Sequence, residues 1–91
     1  MSVPYDLRWS RNARRAVNEE LPEGAAAAAL ELILGPLREE PRRVDKPLRE
    51  PFTGLWSARR ATYRVVYRID EDEHLVVIED IGHGGSIYRP R

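Results

Sequence analysis

Residues 62–81 read TYRVVYRIDEDEHLVVIEDI, and their pattern is the most informative part of the chain for predicting the fold. Its first part alternates apolar and more polar positions, with one face formed by Tyr63, Val65, Tyr67 and Ile69. A period of two predicts a strand over 62–69. Residues 70–73 are all acidic and predict a polar turn, and residues 75–81 are rich in Val and Ile, which favours a second strand. The stretch therefore predicts an antiparallel pair of strands.

Upstream of this pair, the same periodicity predicts two further strands. Residues 55–61 form a plausible strand directly before Thr62. Residues 3–9 alternate Val, Tyr, Leu and Trp with other residues, and Pro4 indicates an edge position because it cannot donate to a ladder. Residues 86–89 are a possible short last strand after a Gly-rich segment.

Between the first strand and the others, the pattern predicts two antiparallel helices. Ser10 is a candidate N-cap for a helix over 11–20. Residues 25–34 have high helix propensity, and Gly35 in a left-handed conformation followed by Pro36 is expected to end that helix. Residues 36–54 then form a long connection, a feature that is often functional.

The element order is therefore β-α-α-β-β-β. It predicts an α+β fold in which a helical hairpin covers one face of a small antiparallel sheet. A chain of 91 residues is expected to be one domain, spanning 1–91.

Composition excludes several classes of function. The chain has no Cys, which excludes disulfide frameworks, zinc–thiolate clusters and thiol nucleophiles. It has no long apolar run and no signal-peptide pattern at its start, so no membrane partner and a cytoplasmic location are expected. No phosphate-binding loop, dinucleotide fingerprint or metal-binding His pair is present, so neither a cofactor nor a metal is expected.

Charge is neutral in total but segregated along the chain. Fifteen bases balance fifteen acids, yet residues 38–68 carry nine bases against four acids, a net of +5, and residues 69–81 carry six acids and no base. Fourteen of the fifteen bases are Arg, whose planar fork suits phosphate. The total excludes a generally basic nucleic-acid binder but leaves a local phosphate site possible.

The basic segment places arginines on predicted strands, among them Arg59, Arg64 and Arg68. Arg64 and Arg68 share a face, opposite the apolar face that the helices are expected to cover, so fixed cations would line the open face. The alternative is an ordinary solvated sheet face, which also carries charges. His83, Tyr88 and Arg89 follow the predicted strand over 75–81 and are expected near Arg64, although a solvated His and an anchoring Tyr would fit the same pattern.

Several short blocks, taken in combination, resemble the RelE toxins of the RelE/ParE superfamily of type II toxin–antitoxin systems. The blocks are Gly35-Pro36-Leu37, Pro41 and Arg43, Lys46-Pro47-Leu48-Arg49, Gly54-Leu55, Ser57-Ala58-Arg59-Arg60, Tyr63-Arg64-Val65-Val66-Tyr67, Ile69-Asp70, Ile81-Gly82-His83 and Tyr88-Arg89. The resemblance in length and element order extends over essentially the whole chain. The resemblance implies a ribosome-dependent, metal-free mRNA endoribonuclease. In such toxins the 2′-hydroxyl attacks the adjacent phosphate and leaves a 2′,3′-cyclic phosphate and a 5′-hydroxyl.

By motif position, the resemblance implies roles for individual residues. Arg64 is expected to stabilise the transition state, Arg59 to position the phosphate, and Tyr88 to stack on or orient a base, with His83 as a candidate proton carrier. Further bases are expected to contact RNA phosphates: Lys46, Arg49, Arg60, Arg68 and Arg89.

The resemblance also implies partners: a RelB-like antitoxin, the ribosome with its mRNA, and operator DNA for the toxin–antitoxin complex. Two alternatives remain, a DNA gyrase inhibitor like the ParE relatives and a catalytically degenerate antitoxin-binding protein. Gly84 and Gly85 motivate the second, since relatives often carry basic residues there. Ala61-Thr62 also replaces a usual Gly-Asp.

Overall fold

A computed structural model describes residues 3–44, 46–49 and 52–83. It contains four strands in one sheet, β1 (Asp6–Trp9), β2 (Trp56–Arg60), β3 (Tyr63–Asp70) and β4 (Leu75–His83). Two helical segments lie between β1 and β2. The predicted element order and α+β class are confirmed.

The sheet has the strand order β1-β4-β3-β2. Strands β2, β3 and β4 pair antiparallel, as predicted. The expectation of an entirely antiparallel sheet is wrong for β1, which runs parallel to β4 with Asp6 opposite Leu75. The two helices connect β1 at one edge of the sheet to β2 at the other edge. Strand β4 returns beside β1 after two antiparallel pairings and therefore runs in the same direction as β2 and β1.

The first helical segment begins as α1 (Arg11–Arg15) and continues as a π-helical stretch, Ala16–Glu20. Ser10 is its N-cap, as predicted, because its hydroxyl accepts from the amide of Ala13 at 3.0 Å. The same hydroxyl donates to the carbonyl of Glu79, which attaches the start of α1 to β4.

The second segment begins as α2 (Glu23–Leu32) and continues with wide turns over Ile33–Leu37. Gly35 has φ −107° and ψ −107°, so the expected left-handed cap at this residue is wrong and the chain kinks there instead. The kink separates two helical pieces, so the helix ends at Gly35 as expected. Pro36 begins the second piece, and its carbonyl accepts from the amide of Glu40 at 2.9 Å.

The core lies between the helices and one face of the sheet. Val65 and Tyr67 on β3 are buried there with Ile78 on β4, against helical residues such as Ala16 and Ile33. The prediction that the helices cover the Tyr63-Val65-Tyr67 face is therefore confirmed, and the opposite face of the sheet carries Arg59 and Arg64. None of the helices in the described part of the chain has the length and apolar character that a membrane crossing requires.

Candidate functional site

The hairpin of β2 and β3 places two arginines side by side. Arg59 and Arg64 are directly opposite each other in the register, next to the Ala61-Thr62 turn. Like charges at directly opposite positions destabilise a sheet pair. A sequence that keeps both cations there points to an anionic ligand.

The segment before β2 forms a second wall beside these arginines. The amide of Leu48 donates to the carbonyl of Leu55 at 2.8 Å, and Pro47 forms an isolated antiparallel bridge with Trp56. This segment therefore runs along the outer edge of β2. Part of the predicted irregular connection over 36–54 is thus fixed to the sheet.

The two walls enclose an open pocket of about 580 Å³. Four cationic residues line it, Lys46, Arg49, Arg59 and Arg64, together with Ser57 and an apolar strip of Val44, Pro47 and Leu48. Among the described residues that line the pocket, none is Asp or Glu. The arrangement can hold a phosphate among cations while an apolar group lies against the strip.

Two cations predicted as RNA contacts lie outside this pocket. Arg60 is opposite Tyr63, and the side-chain alternation of the strand puts it on the face away from Arg59. Arg68 shares the face of Arg64 but forms a salt bridge with Glu79 on β4. Neither residue lines the pocket.

The side chain of His83 lies on the face of the sheet opposite to that of Arg64, and not on the same side as expected, because the register pairs Arg64 with Gly82 and Tyr63 with His83. Strand β4 continues two residues beyond the predicted end, and His83 is its last residue rather than part of a loop. The register puts it opposite Tyr63, and the two rings meet edge to face with centroids 5.4 Å apart. Tyr88, Arg89, Gly84 and Gly85 lie outside the described residues.

Charged groups with shifted pKa values lie outside the pocket. Glu71, in the acidic turn, accepts from the Tyr5 hydroxyl at 2.6 Å and pairs with Arg42 at 2.9 Å. These hydrogen bonds lower the pKa of Glu71. On β4, burial raises the pKa of the half-buried Asp80.

Sequence analysis missed the apolar strip and Ser57. Ser57 precedes Arg59 by two residues on the same strand, so strand periodicity was a signal that could have found it. No such signal exists for Val44 or Leu48, whose place depends on how the segment folds against β2. Within residues 3–44, 46–49 and 52–83, no three His, Asp or Glu side chains cluster so as to hold a metal ion.

Comparison with known proteins defines the class to which this fold and pocket belong. Residues 5–88 match the model of a family described as the ParE toxin of the type II toxin–antitoxin system. The chain belongs to this family, and it is a type II toxin of the RelE/ParE superfamily.

Particular relatives carry RelE-type names. The chain is 46% identical over 87 residues to Toxin RelG of Mycobacterium tuberculosis, covering 96% of this chain and 99% of the relative. It is 45% identical over 86 residues to Toxin RelE of the same organism, covering 94% of this chain and 88% of the relative.

Among solved structures, the toxin–antitoxin complex RelBE2 from Mycobacterium tuberculosis matches with a TM-score of 0.84 and 46% identity. The match covers 91% of this chain and 94% of that one. The isolated RelE toxin of E. coli matches with a TM-score of 0.70 at 20% identity, over 96% of this chain and 88% of that one. The second likeness establishes the shared fold.

Proposed function

We propose that this chain is a ribosome-dependent, metal-independent endoribonuclease that cleaves mRNA and is neutralised by a RelB-like antitoxin. One observation carries the proposal: Arg59 and Arg64 lie opposite each other in a pocket whose described lining includes four cations and no carboxylate. The relationship to toxins named RelG and RelE supports it.

The proposed reaction depends on stabilising negative charge and does not require a metal or a cofactor. The ribose 2′-oxygen forms a bond to the adjacent phosphorus while the bond from phosphorus to the 5′-oxygen breaks. The 2′-hydroxyl loses its proton and the departing 5′-oxygen gains one, so the products are a 2′,3′-cyclic phosphate and a 5′-hydroxyl. Negative charge builds on the non-bridging oxygens in between, and positioned guanidinium groups stabilise it.

Each of the four cations has a proposed role that follows from its position in the fold. Arg64, on the central strand β3, is assigned to the transition-state charge, and Arg59 on β2 to positioning the scissile phosphate. Lys46 and Arg49 lie on the outer wall and are suited to neighbouring phosphates. Tyr88 keeps its predicted role beside the base, whereas His83, on the other face of the sheet, is left out of the mechanism.

The partners follow from the same surface. Two complexes among the solved relatives carry the names RelBE2 and RelBE, which supports a RelB-like antitoxin as the partner of this chain. An antitoxin segment with acidic residues would complement the cationic pocket and exclude RNA from it. Binding of operator DNA by the toxin–antitoxin complex stays a prediction.

The test uses purified toxin, ribosomes programmed with a defined mRNA, and mapping of the new RNA 5′ ends. Wild type is expected to cleave within the codon exposed in the ribosomal A site, and Arg64→Ala is expected to slow cleavage roughly 10²- to 10³-fold. Arg15→Ala, an exposed arginine on α1, is the matched control and should cleave like wild type. Intact message with wild type, or full activity of Arg64→Ala, would refute the proposal.

A second candidate function is inhibition of DNA gyrase, because the family model that matches is described as a ParE toxin. A supercoiling assay with the same preparations separates the two functions. Inhibition of supercoiling without RNA cleavage would favour the second candidate, and cleavage without inhibition would favour the first.

A further inference from the structure

Among the described residues, the buried side chains are apolar or aromatic with one exception, Ser57, whose side chain is polar. Only 2% of its surface is exposed. It lies in β2 two residues before Arg59, on the face that carries the pocket, and it lines the pocket itself. A polar group in this position is expected to serve a hydrogen bond, since burial without one is costly.

Two hydrogen bonds place Ser57 between the basic residues. Its hydroxyl accepts from Nη1 of Arg64 at 3.2 Å, across the β2–β3 pair. Its amide donates to the carbonyl of Lys46 at 3.3 Å, which attaches the outer wall to β2. Ser57 is thus the point where the strand of Arg59, the side chain of Arg64 and the segment of Lys46 meet.

The hydrogen bond to Ser57 restricts an Arg64 side chain that would otherwise adopt many conformations. An arginine side chain has several rotatable bonds and loses much conformational freedom when it is held in one geometry. Its direct neighbour Arg59 carries the same charge and favours conformations that separate the two groups. A guanidinium has five N–H donors, so the bond to Ser57 uses only one of them.

We propose that Ser57 is a positioning residue: its hydroxyl holds the guanidinium of Arg64 toward the pocket, against repulsion from Arg59. The inference rests on the proposed nuclease function for its kinetic consequences. In this role Ser57 acts on the reaction through Arg64 and not as a catalytic group. A purely structural serine would affect the stability of the protein but not the behaviour of Arg64.

The experiment compares matched pairs of substitutions. Ser57→Ala removes the hydroxyl, and Ser57→Thr and Ser57→Val differ from each other only in the presence of the hydroxyl at nearly equal shape. Thermal unfolding of each variant first establishes that it is folded. Cleavage kinetics on programmed ribosomes are then measured for each variant and for Ser57→Ala combined with Arg64→Ala.

The expected kinetic result is a loss in kcat with little change in KM. Ser57→Ala and Ser57→Val should lower kcat about tenfold, and Ser57→Thr should stay near wild type. In the Arg64→Ala background, Ser57→Ala should change nothing further, because its only route to the reaction is gone. A wild-type rate for Ser57→Ala, or the same loss with and without Arg64, would overturn the inference.

A second readout keeps this inference separate from the proposed function. Relaxation of the ¹⁵Nε nucleus of Arg64 reports how rigidly the guanidinium is held and needs no RNA. Ser57→Ala should lower the order parameter of Arg64, and Ser57→Thr should restore it. If wild type fails to cleave RNA, the nuclease proposal fails, while an unchanged order parameter in Ser57→Ala overturns the role of Ser57.

Discussion

The two ends of β3 carry opposite charges and differ in their neighbours: the acidic end contacts an opposite charge, and the basic end brings two like charges together. At the acidic end, Glu71 is bonded to Arg42 and Tyr5, and the ring of Tyr5 stacks on His74 at 3.8 Å. At the basic end, about 20 Å away along the strand, Arg59 faces Arg64.

The acidic cluster ties three parts of the chain together. Tyr5 lies just before β1, Arg42 follows the second helical segment, and Glu71 lies in the turn between β3 and β4. Opposite charges in mutual contact serve the fold. By contrast, cations gathered in a pocket without a carboxylate among its described lining gain most from a ligand. The proposed function therefore predicts that substitutions at the acidic end change stability and that substitutions at the basic end change activity.

The largest effect is expected when two neighbouring arginines on opposite faces of β2 are each replaced by alanine. Arg59→Ala is expected to lower the rate of mRNA cleavage at least tenfold more than Arg60→Ala, because only Arg59 lines the pocket. Single-turnover cleavage on programmed ribosomes measures both rates. Equal losses would mean that the face of the sheet does not define the site.

The acidic end is tested by the pH dependence of stability. The hydrogen bonds from Tyr5 and Arg42 depress the pKa of Glu71 below its usual 4.5 in the folded state. A depressed carboxyl pKa stabilises the fold above that value, and the contribution is lost as the pH falls through the folded pKa. Glu71→Gln should therefore be less stable than wild type at pH 7, with the difference shrinking in acid.

Urea unfolding between pH 7 and pH 3 measures this difference, with Asp72→Asn in the same turn as the control. The cleavage rate of Glu71→Gln should equal that of wild type. A difference in stability that does not depend on pH would contradict the role of the ionised carboxyl. A parallel loss of cleavage would show that the two ends are not independent.

The smallest expected effect concerns the turn beside the arginines. Ala61 has φ 55°, a left-handed conformation that disfavours residues with a Cβ. Ala61→Gly should therefore raise the free energy of unfolding by about 0.5–1 kcal/mol. Chemical denaturation measures the gain, and a destabilised variant would show that the methyl group contributes packing that outweighs the backbone strain. If Ala61→Gly cleaves mRNA at the wild-type rate, the backbone strain at Ala61 does not contribute to the activity of the site.

Strand periodicity was sufficient to predict most of the site on the sheet. Arg59 and Arg64 were correctly expected on the open face because alternation along a strand decides which way a side chain points. The same rule failed to place His83, because the bulge between Val66 and Tyr67 and the two extra residues of β4 were not visible in the pattern. Register depends on pairing with another strand, which local sequence does not encode.

The element order, the α+β class, the family resemblance and the basic character of residues 38–68 could all be predicted from the amino-acid sequence. Those properties follow from local periodicity, composition and motif spacing. Three features emerge only when the chain is folded: β1 runs parallel to β4, Lys46 and Arg49 line the same pocket as the two arginines, and Arg68 pairs with Glu79. These features depend on contacts between residues that are distant in the chain. Local conformational preferences do not distinguish the alternative arrangements, and packing and charge pairing stabilise one of them.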